Sequence, residues 1–190
     1  MNDFTMRKIV FPVMLMLCSH LLMAQQASPE PGKRNRSGNI AVAAGAALPL
    51  GAFADTHWGG IGVSGSSASV QVAFFHPYKL RFAWSGGGVY FFGKNETPAG
   101  YHYTYPGYIS LYGMAGVMYS PFHKAVVNML AGPAIGLYDG TTRFNLSLRA
   151  DVDFYVTKKW AISPGFMLLK ESGADPLPSA SLRVLFIPGN

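Results

Sequence analysis

From Arg143 to Val156 the chain alternates without a break. Phe144, Leu146, Leu148, Ala150, Val152, Phe154 and Val156 share one parity; Arg143, Asn145, Ser147, Arg149, Asp151, Asp153 and Tyr155 share the other. A period of two is the period of an extended strand, whose side chains point to opposite faces. Strands of soluble sandwiches run to about 5–6 residues. This segment is far longer, and exceeds the roughly 9–11 residues that carry a tilted strand across a bilayer. Composition narrows the choice. Only 13% of residues are charged while 14% are aromatic, against about a quarter charged in an ordinary soluble domain. The chain is apolar without the long apolar runs of a helical membrane protein. Both facts suit a barrel wall, where every second residue meets lipid.

Seven further segments extend the pattern. The strands are expected at Asn39–Leu48, Ala68–Phe75, Leu80–Phe92, Tyr108–Tyr119, Ala125–Tyr138, Thr142–Val156, Lys159–Leu169 and Ser179–Ile187. Their outward sets include Val70, Val72 and Phe74 in the second, and Ile109, Leu111, Ala115, Val117 and Tyr119 in the fourth. Trp160, Ile162, Phe166 and Leu168 serve the seventh, and Ala180, Leu182, Val184 and Phe186 the eighth. The connections alternate in length. Pro49–Ser67 and Gly93–Gly107 are long, and Lys170–Pro178 is of medium length. His76–Lys79, Ser120–Lys124 and Thr157–Lys158 are short. Outer-membrane barrels have short periplasmic turns and longer outer loops, so this order places the N-terminus on the periplasmic side. Asp139–Gly140–Thr141, a tight Asp-Gly turn, is the one short outer connection. Aromatic residues gather at strand ends, as interfacial girdles do. Glycines such as Gly86–Gly88 and Gly132 relieve bending and crowding in a narrow barrel. Pro133 and Pro164 remove ladder donors, which predicts bulges or positions near strand ends.

The start of the chain reads as a secretory leader. Arg7–Lys8 precedes the apolar stretch Ile9–Leu17, and Ala24 is the small residue expected at cleavage. Residues 1–24 are read as a signal peptide and 25–38 as a flexible basic linker with Lys33, Arg34 and Arg36. Residues 39–187 form the barrel domain. Losing the leader removes Arg7, Lys8 and Asp3, leaving 13 of the 15 Lys+Arg and 8 of the 9 Asp+Glu, a net +5. Cys18, the only cysteine, lies in the leader, so the mature chain is expected to form no disulfide and no cysteine metal site. The basic cluster is short and the chain is exported, which argues against a nucleic-acid partner.

The polar parity of the sixth strand holds the chemistry. Arg149, Asp151 and Asp153 point into the lumen, with Arg81, Asn128 and Arg183 on other strands. Eight strands leave a lumen that side chains just fill, and charges buried there must pair. The expected result is an internal network of salt bridges that plugs the barrel, with a conducting polar path as the alternative. The two carboxylates have no evident third partner for a metal, so no metal and no cofactor are expected. His57 with Ser64 or Ser66, and His123 with Ser120, are the pairs weighed for hydrolytic chemistry, and neither sits in a recognisable motif. The exposed candidates for binding are loop aromatics: Trp58, Tyr101, Tyr103 and Tyr105.

Three features together carry a family resemblance. They are the leader ending Met23–Ala24–Gln25, the segment Gly45–Phe53 closing the first strand, and the two-residue repeat running through Val184–Phe186. In these the chain resembles the small eight-stranded outer-membrane barrels of the OmpA/OmpX-like superfamily, in particular the barrel-only members common in Bacteroidetes-type bacteria. The resemblance covers about Asn39–Ile187. It implies an all-β fold: a closed antiparallel eight-stranded transmembrane β-barrel preceded by a signal peptide. It implies a monomer among outer-membrane lipid, with an extracellular ligand or protein as partner. The expected role is structural, adhesive or binding, and not enzymatic. The alternatives are a lipid-modifying outer-membrane enzyme, a narrow solute channel, or a soluble periplasmic barrel.

Overall fold

A computed structural model describes residues 40–71, 80–96, 102–122, 124–157, 159–171 and 173–188. The proposed leader and linker therefore lie outside the described residues. The chain order is β1 (Ile40–Pro49), α1 (Ala52–Thr56), β2 (His57–Gln71), β3 (Leu80–Gly93), β4 (Asn95–Glu96), β5 (Tyr103–Thr104), β6 (Tyr108–Phe122), β7 (Ala125–Tyr138), β8 (Thr141–Tyr155), β9 (Trp160–Glu171) and β10 (Leu177–Phe186). Eight of these strands close an antiparallel barrel in the order β1-β2-β3-β6-β7-β8-β9-β10, with β10 returning to β1. Closure matters physically, because no strand edge is left with unpaired backbone groups.

Side chains sort by parity all round the ring. On β8 the apolar set faces out, with Phe144 78% exposed, while Ser147 on the other parity is fully buried. Met129, Ile135, Ile162, Leu182 and Val184 continue the exposed apolar wall on β7, β9 and β10. Exposed apolar surface on this scale is untenable in water and suits hydrocarbon. The inward parities of β7 and β8 bring Val126, Asn128, Leu130, Arg149, Asp151 and Asp153 to the lumen, all buried. The core of the molecule is this lumen.

The second strand differs from expectation. It spans His57–Gln71 and not Ala68–Phe75, so Pro49–Ser67 is mostly strand and not a long loop. Gly59, Gly60, Gly62 and Gly65 hide the alternation, because a residue without a side chain shows neither face. Backbone pairing still runs through it, from Ile61 opposite Tyr90 to Gln71 opposite Arg81. Crowding explains the choice of residue: a Cβ on Gly60 would stand 2.7 Å from Tyr90 O. Val70 falls on this strand, while Val72, Phe74 and the turn His76–Lys79 lie outside the described residues.

Pro133 and Pro164 produce no bulge. Both lie inside long strands on the outward face, and the registers on either side stay constant. Pairing is interrupted between Tyr112–Ala134 and Ala115–Ala131, and between Asp151–Gly165 and Phe154–Ile162, then resumes in step. Each ring removes a donor from one ladder only, and the opposite ladder holds the strand. Bulges occur elsewhere, at His57/Gly59, Ala68/Val70 and Tyr119/Phe122. The Asp139–Gly140 turn is as expected: both residues have positive φ, 46° and 75°, the requirement of a two-residue type I′ hairpin. The Gly93–Gly107 connection contains its own two-stranded hairpin, with Asn95 opposite Thr104 and Glu96 opposite Tyr103.

Candidate functional site

Pairing register decides what meets inside. Asn128 sits opposite Asp151 across β7 and β8, and Arg183 sits opposite Ser163 across β10 and β9. These positions converge on Asp151, whose side chain is fully enclosed. Arg149 Nε lies 2.8 Å and Arg183 Nη2 2.9 Å from Asp151 Oδ2. Asn128 Nδ2 donates to Asp151 Oδ1 and to Asp153 Oδ2, each at 2.7 Å. Ser163 Oγ donates to Asp151 Oδ1 at 3.4 Å. Arg183 also donates to Ser163 Oγ at 2.9 Å and to Ser64 Oγ at 3.3 Å. The Arg149 guanidinium stands 5.9 Å over the Tyr112 ring. Two cations and two anions are thus held in one buried group, which is how charge is tolerated away from water.

Five of the six residues expected to form the lumen network come together here: Asn128, Arg149, Asp151, Asp153 and Arg183. Arg81 has the same inward parity but stands exposed near the end of β3. Ser163 joins the group without having been singled out, and Ser64, weighed only as a partner of His57, joins it too, because a serine at an inward position is too common a residue to signal a lumen contact. Among the described residues no cluster of three or more His, Cys, Asp or Glu side chains could hold a metal ion.

A second buried group lies nearer the loop end. Tyr108 Oη donates to Glu171 Oε1 at 3.2 Å and accepts from Asn145 Nδ2 at 2.5 Å. Arg143 pairs with Glu171 Oε2 at 3.1 Å from a half-exposed position. Glu171 was placed in a connection by the sequence pattern, and β9 in fact extends to it.

An apolar cork closes the same end. Gly51, at φ 56°, turns the chain so that α1 drops Phe53 into the mouth. Phe53 is 3% exposed and meets Phe91 edge-on at 4.8 Å. The His57 ring lies 4.7 Å from Phe53 and 6.5 Å from Tyr108, and its Nδ1 is 2.8 Å from Thr56 Oγ1. Lys94 ties the two loops over the cork, its N–H donating to Thr56 O and its ammonium to Ala54 O. His57 and Ser64 are therefore not a pair. They are seven residues apart on one strand, roughly 20 Å at the rise of an extended chain, and Ser64 is engaged by Arg183. Ser66 is farther along the same strand, and His123 lies outside the described residues.

Trp58 is on β2 and not on a loop. It faces outward and stacks on Phe92 at 5.0 Å, with Tyr90 edge-on to Phe92 at the same distance. That is the setting of an interfacial girdle. Tyr103 and Tyr105 belong to the loop hairpin and meet edge-on at 4.7 Å, with Tyr103 exposed. Tyr101 lies outside the described residues.

No protein-family model matches the chain, and no curated protein matches it in sequence. Solved structures do match. The Yersinia pestis outer membrane protein Ail, in a phospholipid bilayer nanodisc, aligns with a TM-score of 0.53 at 11% identity, over 79% of this chain and 99% of Ail. Its crystal structure, titled as the attachment invasion locus protein, gives 0.52 at 12% identity, over 80% of this chain and 98% of Ail. The crystal structure of Ail with the heparin analogue sucrose octasulfate gives 0.52 at 10% identity, with the same coverage. At such identity the likeness is one of fold, and the chain has the fold of the small eight-stranded outer-membrane β-barrels.

Proposed function

We propose that this chain resides in a bacterial outer membrane as a closed, non-enzymatic barrel and acts by binding through its loop-bearing end. The carrying observation is the combination of an apolar wall all round with a lumen whose buried charges sit together in one group of opposite signs. Phe144, Leu146 and Leu148 meet the outside, while Arg149, Asp151 and Arg183 neutralise each other within. The Phe53 cork and the two buried polar groups beneath it occupy the lumen where they sit, which supports a plug and not a channel. A closed ring has no free edge for a second copy, which supports a monomer in lipid.

Binding falls to the loops above the wall, the part of the barrel that meets water and not lipid. The described connecting residues 50–56, 94–96, 102–107 and 173–176 gather at one rim with the Asp139–Gly140 turn. Tyr103 and Tyr105 are the aromatic pair best placed to meet an extracellular ligand or protein, since flat amphipathic rings give contact area at low entropic cost. That Ail has been solved in complex with a heparin analogue supports a ligand-binding role for a barrel of this fold.

Three measurements test the reading. The processed protein should fractionate with outer membranes and migrate differently on gels before and after boiling; recovery in the aqueous periplasm would sink the reading. In planar bilayers it should give no discrete conductance steps, and regular openings would replace the plug by a channel. Cells displaying the protein should adhere to polysaccharide- or protein-coated surfaces, and Tyr103→Ala with Tyr105→Ala should abolish that while keeping the gel shift. Adhesion equal to that of cells lacking the protein would remove the binding role.

A further inference from the structure

On the loop side of Asp151 the lumen contains a cavity of about 30 Å³. A single water needs roughly 10–15 Å³ of such space, so the cavity admits an occupant somewhat larger than one water. Its wall is unusual in charge. Arg149 and Arg183 both line it, and no acidic residue does. Ser64, Ser179 and Ser181 add hydroxyls, and the rest is mainly glycine, alanine and apolar side chains such as Val89 and Met167.

The two guanidiniums are not used up by Asp151. Arg149 Nε and Arg183 Nη2 approach Asp151 Oδ2 closely, yet that oxygen receives no aligned hydrogen bond from either. The attraction there is one of charge, and the N–H vectors point elsewhere. Arg149 Nη1 and Arg183 Nε are buried donors without an acceptor, and Arg149 as a whole is 6% exposed. Buried donors of a charged group demand an acceptor. Asp151 Oδ1 and Asp153 Oδ2 are held by Asn128, and Asp151 Oδ2 stays against the two arginines, so neither carboxylate lines the cavity. Gly45, in the cavity wall, has no room for a side chain: a Cβ there would collide with Leu182 O of the paired strand and stand 2.8 Å from Arg183 Cγ.

We propose that this cavity is a binding site for one small monovalent anion of the halide class, held between Arg149 and Arg183. Two positive forks, the hydroxyls of Ser64 and Ser181 and an otherwise apolar wall favour a compact anion over a polyatomic one, for which the space is too small.

The test uses the whole barrel refolded in detergent with sodium bromide and crystallised. Diffraction at the bromine absorption edge should place an anomalous peak in contact with Arg149 Nη1 and Arg183 Nε. A second measurement follows the temperature at which the folded gel form is lost, in bromide, chloride and gluconate at equal ionic strength. A ligand bound only by the folded state raises that midpoint, so it should be higher in both halides than in gluconate. Removing either arginine endangers folding, so the variant is Ser181→Val, which fills the cavity and leaves both ion pairs in place. It should keep the gel shift and lose the halide dependence. A featureless anomalous map at this cavity, with one midpoint in all three salts, would make it a water site and overturn the proposal, leaving the fold and the rim's binding role untouched.

Discussion

Asp151 is where the lumen is most sensitive to a single change. It accepts from Asn128 and Ser163 and balances both Arg149 and Arg183. Asp151→Asn keeps the shape but strands two buried guanidiniums, and removing one partner of a buried ion pair costs about 3–5 kcal/mol. The urea midpoint for loss of the heat-sensitive gel form should fall sharply, and an unchanged midpoint would mean the charges are solvated. Glu171→Gln is the contrast. Its partner Arg143 is half exposed and an amide there can still accept from Tyr108 Oη, so the midpoint should move much less than in Asp151→Asn. Parity alone assigned Asn128, Arg149, Asp151, Asp153 and Arg183 to one interior, because each is a charged or amide residue on the inward side of an alternating strand. It said nothing of Arg81 being at the rim, since depth along the axis depends on strand stagger. It also gave no sign of Phe53, whose burial is the work of a left-handed glycine and one turn of helix.

At the scale of elements, legibility tracked side-chain contrast. β8 could be read almost to its ends because every outward residue is apolar and nearly every inward one is polar. β2 could not, because Gly59, Gly60, Gly62, Gly65 and four serines between His57 and Gln71 carry little contrast. The three positions that do mark its outer face, Trp58, Ile61 and Val63, are all more than half exposed. A charge on that face tests whether β2 is wall or loop. Val63→Lys should cost about 2–4 kcal/mol if it meets the middle of the bilayer, lowering the midpoint of folding into lipid vesicles. A loop residue would accept lysine without effect. Gly140 tests the β7–β8 turn in the same way. At φ 75° an alanine there is strained by roughly 1–2 kcal/mol, which should slow hairpin closure and lower the midpoint without abolishing the barrel.

At the scale of the whole molecule, an even number of antiparallel strands sends all connections of one kind to one end. The described connecting residues 50–56, 94–96, 102–107, 139–140 and 173–176 share the corked end, while Lys124, 156–157, Lys159 and both ends of the described barrel chain, near Ile40 and Ile187, share the other. The physical asymmetry between the ends is large: one carries the cork and the hairpin, the other short turns. Outer-membrane barrels keep short turns on the periplasmic side and longer loops outside, so the corked end is expected to face out. The chain is well suited to a direct check, since Cys18 is its only cysteine and can be replaced by serine. Tyr103→Cys and Asp175→Cys should react with a membrane-impermeant thiol reagent on intact cells. Lys124→Cys and Lys159→Cys, both at exposed positions of the opposite end, should react only after the outer membrane is breached. The reverse pattern would leave the barrel standing but turn it over, and a rim facing the periplasm could not meet an extracellular partner. Orientation is therefore the point at which the architecture, which alternation made legible, meets the function, which it did not.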